Sequence, residues 1–260
     1  MNVTLIAPHQ DDEIISSFLY LSYLKKNGSH VTIIFATNGD YRGKEEAKCR
    51  FEESCAALQS CGIGINDIYY MGYADTGMRF CHSFLYQLYY EDRESVHATP
   101  YSSFTYHPNG GITIHRMFHD TEALYCRDNF VCDLIHILLY FKTDILIMPS
   151  IYDFHGDHFA LNRFLIDIIK DFPTLKCFTY LIHAGNDNAW PPRRTPIWRR
   201  PDIVSIEDWN RRFIISGNYS DVLLKRNAIA KFKSQLANDT NGFLMSFAKQ
   251  NEFFIPIILP

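Results

Sequence analysis

Apolar and polar positions alternate between two textures along the first two thirds of the chain. Val3–Ala7 is a short apolar run with β-branched residues and predicts a buried strand. A polar turn, Pro8–Asp12, follows it. Ile14, Ile15, Phe18, Leu21 and Leu24 then recur at near-helical spacing and predict a helix from about Glu13 to Lys26. Asp11 or Asp12 can cap its start, and Gly28 lies just past its end. The same alternation predicts strands at Val31–Ala36, Asp67–Met71, Asp144–Pro149 and Lys176–His183. Helices are predicted at Lys44–Cys61, Asp128–Phe141 and Asp157–Lys170. Strands and helices alternating at these lengths imply an α/β fold: a mostly parallel sheet with helices on both faces.

Two segments break the pattern. Residues 78–120 are rich in Tyr, Phe and His and carry a Pro-Asn-Gly-Gly turn at 108–111. Residues 184–202 hold Pro191, Pro192, Pro196 and Pro201 with Arg193, Arg194, Arg199 and Arg200, and read as a long irregular loop. A long structureless loop in a compact domain is often functional. Both segments follow predicted strands on the edge where a site wall would stand. Residues 205–250 read as helical, and Phe253–Leu259 as an apolar segment packed on the domain.

Composition narrows the class. The chain has 260 residues, 47% hydrophobic and 21% charged, which suits a globular protein with a large core. A formal net charge of −4 gives no sign of a nucleic-acid or anionic-membrane surface. No stretch approaches the ~18–20 apolar residues of a spanning helix. Met1–Ala7 lacks a preceding basic segment, and His9–Glu13 is too polar to extend a signal core. The seven cysteines form no Cys-x-x-Cys pair, so reduced thiols in a cytoplasm are the expected state.

Two clusters carry chemistry. The first is Pro8-His9-Gln10-Asp11-Asp12-Glu13, where the first strand gives way to the first helix. Sites in open α/β sheets form at the carboxyl ends of strands. An imidazole and a carboxylate can bind Zn²⁺, while a second, unligated carboxylate can hold the metal's water. The same turn also reads as a helix cap beside a surface histidine. The second cluster is His155-Gly156-Asp157-His158, which follows the fourth strand and so falls on the same edge. By itself it reads equally as a solvated helix start. Together the two clusters can supply two His and one Asp to a metal and leave a position for water. The glycine fingerprint of a dinucleotide site, a P-loop and a Gly-x-Ser-x-Gly elbow are all missing from the sequence.

These motifs resemble a known family. Ala7-Pro8-His9-Gln10-Asp11-Asp12-Glu13 is similar to the Ala-His-Pro-Asp-Asp-Glu signature of the zinc-dependent LmbE-like/PIG-L N-acetylglucosaminyl deacetylases. His155-Gly156-Asp157-His158 is similar to their His-Pro-Asp-His motif. Thr37-Asn38-Gly39, Arg50, Glu53, Ala57, Gly62, Asp75, His183, Trp190-Pro191, Ser234-Gln235 and Phe247–Phe254 fit the family's pattern more loosely. The resemblance implies a single Rossmann-like domain over 1–260 that removes the N-acetyl group from an N-acetylglucosamine-type sugar. His9, Asp12 and His158 would ligate one Zn²⁺ per chain, with another divalent ion as an alternative. Asp11 would be the general base, and then the acid for the leaving amine. His155 would stabilise the oxyanion, oriented by Asp157, whose carboxylate would also favour the cationic imidazole. Arg50 and Asp75 would hold sugar hydroxyls.

The sequence departs from the family at Gln10, with Pro8 moved before His9, and at Gly156, where proline is usual. The six histidines at 82, 97, 107, 115, 119 and 136 read as ordinary surface or hydrogen-bonded residues. The expected partner is a small N-acetylated amino-sugar conjugate, with no nucleic acid or membrane, and a homo-oligomer is compatible with the sequence. The rival readings are an amidase acting on a non-sugar acyl-amine and a non-catalytic sugar-binding protein. Retention of Asp11 argues against the second, because binding alone needs only a ligand set.

Overall fold

The computed structural model describes every residue except 92, 94, 186–189, 194, 196–197 and 259–260. Arg194, Pro196 and Leu259 therefore lie outside the described residues. Among the described residues, seven strands make one sheet in the order β3-β2-β1-β4-β5-β7-β6. Their ranges are β1 Asn2–Ala7, β2 His30–Thr37, β3 Ile68–Tyr73, β4 Ile145–Pro149, β5 Lys176–Tyr180, β6 Phe213–Ser216 and β7 Asn251–Pro256. The first five run parallel. β7 pairs antiparallel with β5, and β6 antiparallel with β7. The helices are α1 Asp12–Lys26, α2 Lys44–Gln59, α3 Phe84–Tyr90, α4 Ile114–His119, α5 Arg127–Tyr140, α6 Gly156–Ile169, α7 Ile206–Arg211, α8 Tyr219–Ile229 and α9 Lys233–Leu236.

Two apolar layers follow from the two-residue period of the strands. Leu5, Ile33 and Ile147 face one way and pack with Ile14, Phe18, Phe51, Leu58 and Ile229. Ile6, Ile34 and Leu146 face the other and pack with Leu85, Phe130, Leu134 and Phe164. Helices α1, α2 and α8 thus cover one face, and α3, α5 and α6 the other. The central strands are buried on both sides, which is why they read as continuous apolar runs.

Two sequence expectations change and one holds. The stretch 205–250 is not helical throughout: β6 interrupts it, and β7 turns the segment after 250 into a sheet strand. The aromatic segment 78–120 contains α3 and α4. The described part of 184–202 contains no helix or strand. A buried ion pair ties the C-terminal elements to α1. Lys225 Nζ lies 2.7 Å from Glu252 Oε1 and donates to the Ile15 carbonyl at 2.8 Å. The Glu252 carboxylate accepts the Leu19 and Tyr20 amides. Among the described residues, no helix is long and apolar enough to cross a membrane.

Candidate metal centre and active site

The strand order reverses between β1 and β4, which lie side by side and parallel. From β1 the chain enters α1 on one face; from β4 it enters α6 on the other. The loops therefore part at the carboxyl ends of these two strands and leave a crevice, as expected at a switch point. Both motifs sit in it, Pro8–Asp12 after β1 and His155–His158 after β4.

The crevice gathers three imidazoles. Ligand atoms of His9, His155 and His158 all lie within 4.8 Å of one another, and all three residues are buried. Asp12 Oδ2 accepts the His9 amide at 3.0 Å and lies 3.6 Å from His9 Nδ1 and 3.2 Å from His158 Nε2. On the other side, His158 Nδ1 is 3.2 Å from Asp153 Oδ2. Asp153 is itself fixed, since its carboxylate accepts the amides of His155, Ile182 and His183. Both ring nitrogens of His158 are 3.2 Å from a carboxylate, but neither is well aligned for a hydrogen bond.

That arrangement fits a cation. Nitrogen and oxygen donors converge, and a buried nitrogen without a hydrogen bond is an unmet ligand. The charge balance points the same way. Burial works against a charged His9, but Asp75, Asp12 and Asp157 outweigh it and raise its pKa to about 10. Burial also opposes charge on His158, and Asp12 and Asp153 push its pKa well above the usual value. Burial alone would raise Asp12, but His158 and His9 hold it well below the carboxylate range. Without a metal, protons on the histidines offset these carboxylates; a divalent cation does the same.

Asp11 is set apart from the donor set. Its backbone adopts φ 114°, a left-handed region that costs a non-glycine residue roughly 1–3 kcal/mol. Its amide is held by Glu13 Oε2 at 2.9 Å, and its carbonyl accepts the amides of Ile14 and Ile15. Its carboxylate lies 3.7 Å from Arg50 Nη2. Burial raises the Asp11 pKa to about 7 against the pull of Arg50, near the value a general base needs.

Arg50, on α2, donates to the Gln10 carbonyl at 2.7 Å and lies 3.7 Å from Asp75 Oδ2. Asp75 follows β3; Asp40 Oδ1 accepts its amide, and its own Oδ1 accepts the Gly77 amide. Gln10 thus serves Arg50 through its backbone, while its side-chain amide donates to the Asn38 carbonyl at 3.1 Å. Gly39, at φ +63°, lies against Gln10: a Cβ there would sit 2.3 Å from Gln10 Oε1.

The second motif departs from its expected internal arrangement. Asp157 does not hold His155 through its carboxylate. Its Oδ2 lies 3.2 Å from His9 Nε2, its Oδ1 accepts the Leu85 amide at 2.8 Å, and its backbone amide donates to His155 Nδ1 at 3.2 Å. Nor is His155 pushed toward its cation. Burial, with His9, His158 and His183 around it, lowers its pKa well below the usual value. Gly156 is explained by packing. A Cβ at 156 would meet Ser83 Oγ at 2.4 Å and Phe80 Cα at 3.0 Å, and the Gly156 amide donates to the Met78 carbonyl.

A cavity of about 220 Å³ opens on the cluster, lined by His9, Asp11, Asp12, Arg50, Asp75 and His155. Met78 is the part of the 78–120 segment that reaches it. The far wall is His183, Gln235, Phe243 and Leu244. His183 stacks on Phe243 at 5.3 Å, and burial lowers its pKa to about 4. Phe243, Leu244 and Asp153 were not singled out in the sequence. For Asp153, the signal was a carboxylate two residues before His155. A larger cavity of about 710 Å³, lined by Arg193, Tyr219, Arg226 and Lys249 among others, touches neither motif.

The chain belongs to the PIG-L family: the family described as GlcNAc-PI de-N-acetylase matches residues 4–169. Solved structures share its fold. The A40926 pseudoaglycone deacetylase is 14% identical, with TM-score 0.62 over 99% of this chain and 97% of that one. Teicoplanin deacetylase, in its zinc-inhibited form, is 15% identical, with TM-score 0.60 over 99% and 98%. The N,N'-diacetylchitobiose deacetylase of Pyrococcus horikoshii is 17% identical, with TM-score 0.53 over 98% and 83%. No curated protein sequence matches the chain.

Proposed function

We propose that this protein is a metal-dependent N-deacetylase that hydrolyses the acetamide of an N-acetylglucosamine-type sugar on a small conjugate or glycan. One observation carries the reading. The two motif turns converge at one cavity: His9, Asp11 and Asp12 line it, and His158 lies buried behind them, 3.2 Å from Asp12. Family membership supports it, and the named activities of the fold neighbours agree.

His9, Asp12 and His158 would hold the ion, Zn²⁺ by preference for this donor set. When bound, a divalent metal polarises the amide carbonyl and eases ionisation of water. Asp11 takes the proton of the attacking water and returns it to the amine nitrogen as the C–N bond breaks. Its near-neutral pKa suits both transfers. His155 donates a hydrogen bond to the developing oxyanion as a neutral imidazole. Its Nδ1 accepts the Asp157 amide, which leaves the proton on Nε2. Arg50 and Asp75, on the cavity wall, hold sugar hydroxyls. Asp153 keeps His158 in place, and Asp157 keeps His9 in place.

The test pairs metal analysis with deacetylation of a panel of N-acetylglucosamine conjugates and non-sugar acetamides. Bound metal and acetate release from the sugar conjugates are expected. Turnover confined to the non-sugar acetamides would turn the reading to an amidase, and no turnover of either would remove the enzymatic reading.

A further inference from the structure

Five side chains unused by the reaction above meet where α4 packs along α5. His119 Nε2 lies 4.0 Å from Cys132 Sγ, and Cys132 Sγ lies 3.7 Å from His136 Nδ1. Ligand atoms of all three are within 4.8 Å of one another. We propose that His119, Cys132 and His136 form a second metal site, which takes Zn²⁺ or a d-block cation of similar softness.

The geometry suits a tetrahedral ion. Metal–sulfur and metal–nitrogen bonds of about 2.3 and 2.0–2.1 Å place a thiolate and an imidazole about 3.5 Å apart. The observed separations exceed this by a few tenths of an ångström, which small side-chain rotations can close. Cys132 and His136 are one turn apart on α5 and so project on the same side. His119 closes the third corner from the last turn of α4, where Asp120 ends the helix at φ 59°.

The surroundings support an ion as well. The His115 ring lies 4.4 Å from that of His119, and Asp133 Oδ1 lies 2.8 Å from His115 Nδ1. Ligand atoms of His115, His119 and Asp133 again fall within 4.8 Å of one another. The Asp133 carboxylate beside them adds negative charge that attracts a cation. Burial and that same charge also hold the Cys132 thiol above its usual pKa, so the ion must displace its proton. His119 is exposed and the other two ligands are half-buried, so an ion reaches the site from solvent. Binding releases the Cys132 thiol proton as the metal–sulfur bond forms. Three protein ligands leave a fourth position for water, and the bound ion clips α4 to α5.

Full-length protein loaded with Co²⁺ provides the test. The catalytic cluster holds no cysteine, and among the described residues Cys132 is the one cysteine in a group of converging metal donors. A thiolate-to-cobalt charge-transfer band in the near ultraviolet that Cys132→Ser abolishes therefore reports this site. The band is expected in the wild type and in His158→Ala. Cys132→Ser and His136→Ala should lose it, keep acetate release, and bind Zn²⁺ here more weakly by over the ~10–100-fold that loss of a supporting group costs. Circular dichroism of the metal-free variants checks folding. No band in the wild type overturns the proposal, as does a band that persists in folded Cys132→Ser. The wild-type spectrum decides even where a variant fails to fold. A failed catalytic reading shows separately, as a band without turnover.

Discussion

Asp157 Oδ2 stands 3.2 Å from His9 Nε2, so a carboxylate of the second motif orients the histidine of the first. The other oxygen accepts the Leu85 amide at the start of α3, which fixes the aromatic segment to the same point. A ligating histidine commonly gives its second nitrogen to such a group. Asp157→Asn should weaken metal binding by ~10–100-fold, measured by chelator competition. Unchanged affinity would show that the contact does not tune His9.

Asp11→Asn should retain its metal and lose ~10²–10⁴-fold in kcat, because an amide cannot take the proton from water. Single-turnover acetate release from metal-replete protein measures this. Turnover near wild type would remove Asp11 as the base.

His155→Ala should lower kcat by roughly 10²–10³-fold with metal content intact, the cost of one oxyanion donor. Geometry brings His155 as near to His9 and His158 as a ligand would be. Metal analysis of the variant therefore decides between the two roles: loss of the ion would make His155 a ligand.

Gly156→Ala should destabilise the protein by about 1–3 kcal/mol, the cost of an overpacked site, because Ser83 and the Phe80 backbone occupy the space. Gly156→Pro, which restores the family's residue, should also lose the hydrogen bond to Met78. Thermal unfolding checks both, and an unchanged Tm would show that the 80–83 turn moves aside freely.

Lys225→Met should cost about 3–5 kcal/mol, since it leaves Glu252 buried without its cation. Lys225→Met combined with Glu252→Gln should recover part of that loss in denaturant unfolding. No recovery would place the damage in packing instead of charge.

The sequence carried the parallel half of the fold because β1, β2 and β4 are buried on both faces, which leaves continuous apolar runs. It did not carry β6. Phe213–Ser216 is four residues long and partly exposed at the sheet edge, so its pattern is too short to separate from the helices around it. Both motifs were legible because each lies within a few residues of a strand end. Asp153 and the Phe243–Leu244 wall were not, since their roles depend on folding contacts that no local pattern encodes. His119, Cys132 and His136 come from two helices. The four-residue spacings His115 to His119 and Cys132 to His136 were the available signal, and only the packing of α4 on α5 gives it meaning.

The antiparallel strand β7 also sets a timetable. Both motifs precede it in the chain, yet the Leu19 amide waits for Glu252, 233 residues later. Gln235, Phe243 and Leu244, on the cavity wall, lie in the segment that leads into β7. The proposed site is therefore expected to be completed late in synthesis, by closure of a very long loop. Ribosome-arrested chains ending before Asn251 should release no acetate, even with both motifs clear of the exit tunnel. Activity should arise only once β7 has emerged, and assays on arrested chains of increasing length would time it.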